Sequence, residues 1–145
     1  MKLNLGSGTQ TLKDHVNVDR AAVPGVDVVY DLDVAPWPFG DGSVAAIEAR
    51  HVFEHVADPI VFMTECHRVL EPGGRLSIVV PYYRSVDAFT DPTHRRFCTE
   101  WTFCYWVQGN VYHEKNNAAY GGVSFTNLSV HLDGAALDVA MVKIP

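Results

Sequence analysis

The chain has 145 residues, 48% hydrophobic and 19% charged, which is the size and composition of one globular domain and excludes a disordered or fibrous protein. No apolar run approaches the roughly 18 residues needed to cross a bilayer, and Met1–Gly6 holds no apolar stretch of the signal-peptide kind. Eleven Lys and Arg against seventeen Asp and Glu give a net charge of −6, with one basic knot at His94-Arg95-Arg96, which argues against non-specific nucleic-acid binding.

Short β-branched runs predict strands at Lys2–Leu5, Val16–Asp19, Val26–Tyr30 and Val44–Ala49, separated by Gly and Pro turns. A helix is predicted over Asp58–Leu70, with Asp58 as cap, Pro59 at its first position and Pro72-Gly73-Gly74 beyond it. Arg75–Val80 reads as a fifth strand. An aromatic-rich stretch follows up to Gly122, then strands near Ser124–Leu132 and Ala136–Ile144 joined by the turn pair Asp133-Gly134. Together these predict one α/β domain over residues 1–145: a Rossmann-like, mostly parallel sheet with an antiparallel C-terminal hairpin.

The first connections are short. Residues 6–15 and 20–25 leave little room for parallel crossovers, which usually take a dozen residues or more. The helices of the N-terminal half are therefore expected to be curtailed, leaving sheet to be covered by the 82–122 segment or by another copy of the chain. Self-association is the expected consequence. Cys66, Cys98 and Cys104 are an odd number with no CxxC pair, so neither a disulfide framework nor a cysteine zinc site is offered, and a reduced, cytoplasmic setting is expected.

Polar residues collect at the predicted strand ends. Leu5-Gly6-Ser7-Gly8 is a partial glycine loop, equally readable as a plain turn, that would let backbone approach a ligand. Asp19 ends the second strand, where a carboxylate can accept ribose hydroxyl protons. Asp31 follows the third, placed to take amino hydrogens of a base with Leu32 against its ring. Ligands of open α/β sheets bind outside the carboxyl ends of the strands, so three consecutive polar tips are more informative than any one.

These residues carry a resemblance that covers nearly the whole chain. The blocks LNLGSG, VNVD, YDLDVAPWPFGDGSV, ARHVFEHVADP, HRVLEPGGRLSIVVP and DPTHRRF resemble a compact class I S-adenosylmethionine-dependent methyltransferase. The resemblance implies S-adenosylmethionine as cofactor. Gly6, Ser7 and Gly8 would face its methionine part, Asp19 the ribose and Asp31-Leu32 the adenine, with Asn4 also among the cofactor-binding residues. His51 would lie beside the sulfonium.

His51-Val52-Phe53-Glu54-His55 also matches HxxEH, the inverted zinc-peptidase signature, in which two histidines on one helical face share a metal. That reading needs a helix where the strand pattern has only just ended, so no metal ligand is assigned. Asp91, Pro92, Thr93 and His94 follow the fifth strand, on the cofactor side. The candidate catalytic residues are His55, His94 and Asp91, the histidines suited to proton transfer near neutral pH. A small-molecule methyl acceptor is expected, because nothing in the chain is basic or extended enough to grip a polymer. The chain lacks the Asp/Asn-Pro-Pro-aromatic motif of DNA amino-methyltransferases, having Ala49-Arg50-His51 after the fourth strand. The alternative is a cofactor-binding protein without catalysis, or a subunit of a larger enzyme.

Overall fold

The computed structural model describes residues 1–144. Seven strands, β1 (Lys2–Leu5), β2 (Val16–Asp19), β3 (Val28–Val29), β4 (Val44–Arg50), β5 (Leu70–Pro81), β6 (Phe125–Asp133) and β7 (Ala136–Lys143), form one sheet in the order β3-β2-β1-β4-β5-β7-β6. β1 to β5 pair in parallel, while β7 runs antiparallel to β5 and β6. This is the mostly parallel sheet with a C-terminal hairpin that the sequence predicted. The order reverses between β1 and β4, which creates a switch point at their carboxyl ends.

Two strands differ most from expectation. β3 shrinks to Val28–Val29, although Asp27 N and Tyr30 N on either side still donate to Asn17 O and Asp19 O of β2. β5 begins at Leu70, which pairs with Val44, and the Glu71–Gly74 excursion interrupts the register before Arg75 joins Ala46. Proline and glycine there produce a bulge within one strand rather than a stop.

The sheet's two faces have different chemistry. Leu3, Leu5, Ile47, Ala49, Leu76, Ile78, Val139 and Met141 are fully or almost fully buried on one face. The helix α1 (Pro59–Val69) contributes Phe62, Met63, Cys66 and Val69 to the same core. Asp58 caps it, accepting from Ile60 N at 2.8 Å and Val61 N at 3.2 Å, as its position predicts. Phe103 and Trp106, from the 3-10 turn Thr102–Trp106, join this core through Phe53 and Phe62.

The opposite face carries Lys2, Asn4, Asn17, Glu48, Arg50, Arg75, Ser77 and Asp138 in matching register. No helix occupies the β1–β2, β2–β3 or β3–β4 connections. Side-chain amides hold them instead: Asn4 Nδ2 donates to Gln10 O and Asn17 Oδ1, and Asn17 Oδ1 also accepts from Leu12 N. The curtailed helices thus leave a face on which charged, polar and small residues stand beside Val79 and Val142. The aromatic segment packs into the α1-side core, where Trp106 Nε1 donates to Tyr120 O.

α1 also anchors the loop that follows β3. Glu65 accepts from Trp37 N at 2.6 Å and from Arg68 through both oxygens, while Arg68 donates to Phe39 O and Trp37 O. The Arg68 hydrogen bonds hold the Glu65 carboxyl below its ordinary value near 4.5. A carboxyl lowered in the folded state contributes stability above its unfolded pKa, and that contribution is lost as pH falls through the folded value. Glu65→Gln should therefore destabilise the fold near neutral pH by about 1.5–3 kcal/mol, the scale of a charged hydrogen bond. The difference between variant and parent should shrink as urea melts are repeated below pH 4.5. An unchanged difference there would contradict the assignment.

Candidate active site

Gly6, immediately after β1, has φ of 61°, and a Cβ built on it would stand 2.3 Å from Val52 Cγ2. Backbone here must pass close to the segment following β4, which only glycine permits. Gly8 has φ of 47°, and an added Cβ would meet no protein atom within 4 Å. Asp19 at the tip of β2 fixes this loop: its Oδ2 accepts from Gly8 N and its Oδ1 from Ala21 N, both at 2.8 Å. A carboxylate has lone pairs beyond those two bonds.

Two cavities meet at Gly6 and His51. One, of about 330 Å³, is lined by Asp19, Arg20, Tyr30, Asp31, Leu32, Asp33, Val52, His55, Val56, Asp91 and Thr93. The other, of about 540 Å³, lies over Asn4, Ser7, Gly8, Glu48 and Arg50. Gly6, Asp19, Asp31, Leu32, His51, His55 and Asp91 are thus gathered around one space, and Ser7 and Gly8 around its neighbour. Asn4 borders the second cavity, but its amide nitrogen is committed to the loop hydrogen bonds already described. His94 lines neither. It stands behind His55, ring to ring at 4.8 Å, with 8% of its side chain exposed.

His51 directly follows β4 with φ of 56°, a left-handed conformation uncommon for a residue with a Cβ. Its Nδ1 lies 3.3 Å from Glu54 Oε1, and this hydrogen bond raises the imidazole above its ordinary pKa. Residues 51–57 form turns, and the helix begins only at Pro59. His51 and His55 therefore do not share a helical face as the inverted zinc-peptidase signature requires. Another pairing replaces it. Glu54, 1% exposed, has His51 on one side and His94 Nε2 at 4.0 Å on the other, while its Oε2 is buried with no hydrogen-bond partner.

The two histidine tautomers follow from their partners. Asp91 Oδ1 accepts the single hydroxyl proton of Thr93 at 2.7 Å, so Thr93 Oγ1 can only accept from His55 Nδ1, 2.9 Å away. His94 Nδ1 faces the Ala88 carbonyl at 2.8 Å and must donate to it. Each neutral ring is left with its lone pair on Nε2. Bonds from Thr93, and less strongly the neighbouring histidines, hold the Asp91 carboxyl below its ordinary value.

Thr93 and Glu54 escaped assignment as site residues in the sequence. Asp-Pro-Thr is an ordinary turn pattern, and a glutamate flanked by Phe53 and His55 shows no sign of burial. Arg96 was read only as basic charge. Its guanidinium in fact donates to Phe53 O, to Val56 O at 2.6 Å and to Ala57 O at 3.5 Å, while Arg95 N donates to Glu54 O. These bonds bring residues 91–96 against residues 53–57.

The arrangement fits S-adenosylmethionine. Asp19 and Asp31 offer carboxylate acceptors at neighbouring strand ends, the space over Gly8 is open, and the buried Ser7 hydroxyl beside it lacks a protein partner. Such a placement satisfies a molecule with ribose hydroxyls, an adenine amino group and a polar amino-acid end.

Comparison with known proteins agrees. The methyltransferase domain model matches residues 5–78. A probable S-adenosylmethionine-dependent methyltransferase of Mycolicibacterium smegmatis is 39% identical over 62 residues, 43% of this chain and 24% of that protein. An uncharacterized 37.1 kDa protein of a Streptomyces fradiae transposon is 39% identical over 64 residues, 44% of this chain and 18% of that one. The chain thus spans less than a quarter of the length of these curated relatives. In fold it is similar to a SAM-dependent methyltransferase from Thermotoga maritima, with a TM-score of 0.71 at 17% identity, covering 98% of this chain and 81% of that one. One from Archaeoglobus fulgidus gives 0.67 at 14% identity, covering 98% and 85%. With half its length matched by the domain model and the strand-end site in place, the chain belongs to the methyltransferase domain family of class I S-adenosylmethionine-dependent methyltransferases.

Proposed function

We propose that the chain transfers a methyl group from S-adenosylmethionine to a small-molecule acceptor. The observation that carries this reading is the pair of carboxylates, Asp19 and Asp31, at adjacent strand ends beside the open glycine loop. When bound, the cofactor supplies an activated methyl group for in-line displacement. The protein's part is then to align the acceptor and exclude water.

The acceptor side is the His55–Asp91–Thr93 wall. Thr93, fixed by Asp91, holds the His55 ring and leaves its Nε2 free to take a proton from a hydroxyl or amine acceptor where no other group activates it. His94 packs edge-on behind it. Asp19, Asp31, Asp33 and Asp91 against the single cation Arg20 make the cavity acidic, which favours a neutral or cationic acceptor over a polyanion. No helix among the described residues is long and apolar enough to cross a membrane.

Calorimetric titration with S-adenosylhomocysteine, the demethylated cofactor, tests the reading. Micromolar binding is expected. Asp19→Ala should weaken it by about 1–3 kcal/mol, roughly five- to 150-fold, by removing a ribose acceptor and the Gly8 anchor together. Unchanged affinity would remove Asp19 from the site, and absence of binding to the parent chain would overturn the proposal. Binding without methyl transfer across an acceptor panel would favour the non-catalytic alternative.

A further inference from the structure

We propose that Glu54, His55 and His94 form a binding site for a divalent first-row transition-metal ion. One carboxylate oxygen and one ring nitrogen from each histidine lie within 4.8 Å of one another. Two imidazoles and a carboxylate are a donor set suited to zinc and its neighbours, and three protein ligands leave coordination positions open. In a tetrahedral site with bonds of about 2.0–2.1 Å the ligands stand roughly 3.4 Å apart, so these groups close on the ion by about an ångström.

The proton inventory independently points to a missing cation. Glu54 Oε2 is buried and receives no hydrogen bond, although the residue is 1% exposed. Such an oxygen has lost its water without gaining a hydrogen bond, a penalty that grows when the group is ionised. His94, with 8% of its side chain exposed, spends its Nδ1 proton on Ala88 O and turns a bare Nε2 toward Glu54 at 4.0 Å. His55 spends its proton on Thr93, which Asp91 orients. Two histidine ring nitrogens and the Glu54 carboxylate, which has His51 against Oε1 and nothing against Oε2, thus converge, and a dication satisfies the group.

The remaining contacts have the character of supporting bonds around a metal centre. Carbonyl and hydroxyl partners fix both histidine tautomers, and His51 Nδ1 at 3.3 Å steadies the carboxylate from outside. The Arg95 and Arg96 bonds to residues 53–57 hold the two ligand-bearing segments together. None of the three cysteines belongs to the cluster.

His55 lines the 330 Å³ cavity, which puts the site at that cavity's wall. On the methyl-transfer reading, the ion would hold an acceptor oxygen or nitrogen and acidify its proton, and His55 would then act as ligand in place of proton acceptor. The metal site itself does not depend on that reading.

The test uses the full chain, stripped with chelator and titrated separately with zinc chloride and manganese chloride. One ion per chain is expected for at least one of the two metals. Affinity should fall at least tenfold in both His55→Ala and His94→Ala, and hold in His131→Ala, a change on the exposed part of β6. Failure of both metals to bind at one per chain, or parental affinity in either site variant, overturns the proposal. If His94→Ala does not fold, His55→Ala decides, since its ring is only half-buried. S-adenosylhomocysteine titrated into the same preparations separates the two readings: cofactor binding without metal leaves the methyltransferase assignment standing alone, and metal without cofactor does the reverse.

Discussion

Replacing Arg96 with alanine is expected to cost about 3 kcal/mol or more and to abolish organised binding at the acceptor side. The guanidinium donates to three carbonyls, Phe53, Val56 and Ala57, and lies 5.4 Å from the centre of the Phe53 ring. Phe53 in turn packs on Phe62 of α1 and on Phe103 and Trp106. Removing Arg96 leaves carbonyls unpaired, opens space beside Phe53, and releases the turn that carries Glu54 and His55. Burial lowers the guanidinium pKa from its ordinary value, so the charge is held against a desolvation cost that these bonds, with Asp33 and Asp58 nearby, offset. Arg96→Lys should restore little, because an ammonium is one point donor and cannot span separated carbonyls. Urea melts of the three proteins check this, and a parental midpoint in Arg96→Ala would show that the clamp carries no energy.

Gly6→Ala should have the second largest effect, a loss of cofactor affinity of at least about tenfold, equivalent to 1.4 kcal/mol or more. The added methyl would meet Val52 Cγ2 at 2.3 Å, and φ of 61° is unfavourable for any residue with a Cβ. Val52 is 7% exposed and β-branched, so it has no easy rotamer escape. The double change Gly6→Ala with Val52→Ala removes the collision and keeps the backbone penalty, and should recover part of the affinity. S-adenosylhomocysteine titration reads both. If the double variant binds no better than Gly6→Ala alone, the contact between the β1 and β4 ends is not what limits the site.

Much of the architecture is carried by local pattern. Lys2–Leu5 and Val16–Asp19 match β1 and β2 residue for residue, and Asp58 with Pro59 marks the start of α1. Asp133-Gly134 predicted the hairpin joining β6 and β7. Where pattern misled, a longer-range partner intervened. Val44 recruits Leu70 into β5 ahead of the proline and glycines. The curtailed helices were legible from connection length alone, but not the polarity of the face they leave bare. Alternation within each strand assigns side chains to two faces without telling which face α1 will cover.

What the sequence determined by itself is therefore what neighbours along the chain decide: strand periodicity, helix capping, glycine positions, and carboxylates at Asp19 and Asp31 after their strands. Tertiary structure alone decided the rest. Glu54 and His94 stand 40 residues apart, yet meet because Arg95 and Arg96 hydrogen-bond to carbonyls of residues 53–57. Asp91 sets the His55 tautomer through Thr93, across another long separation. Such contacts depend on loop closure and on the burial of unpaired polar groups, which are properties of the folded chain and have no signature in local residue order.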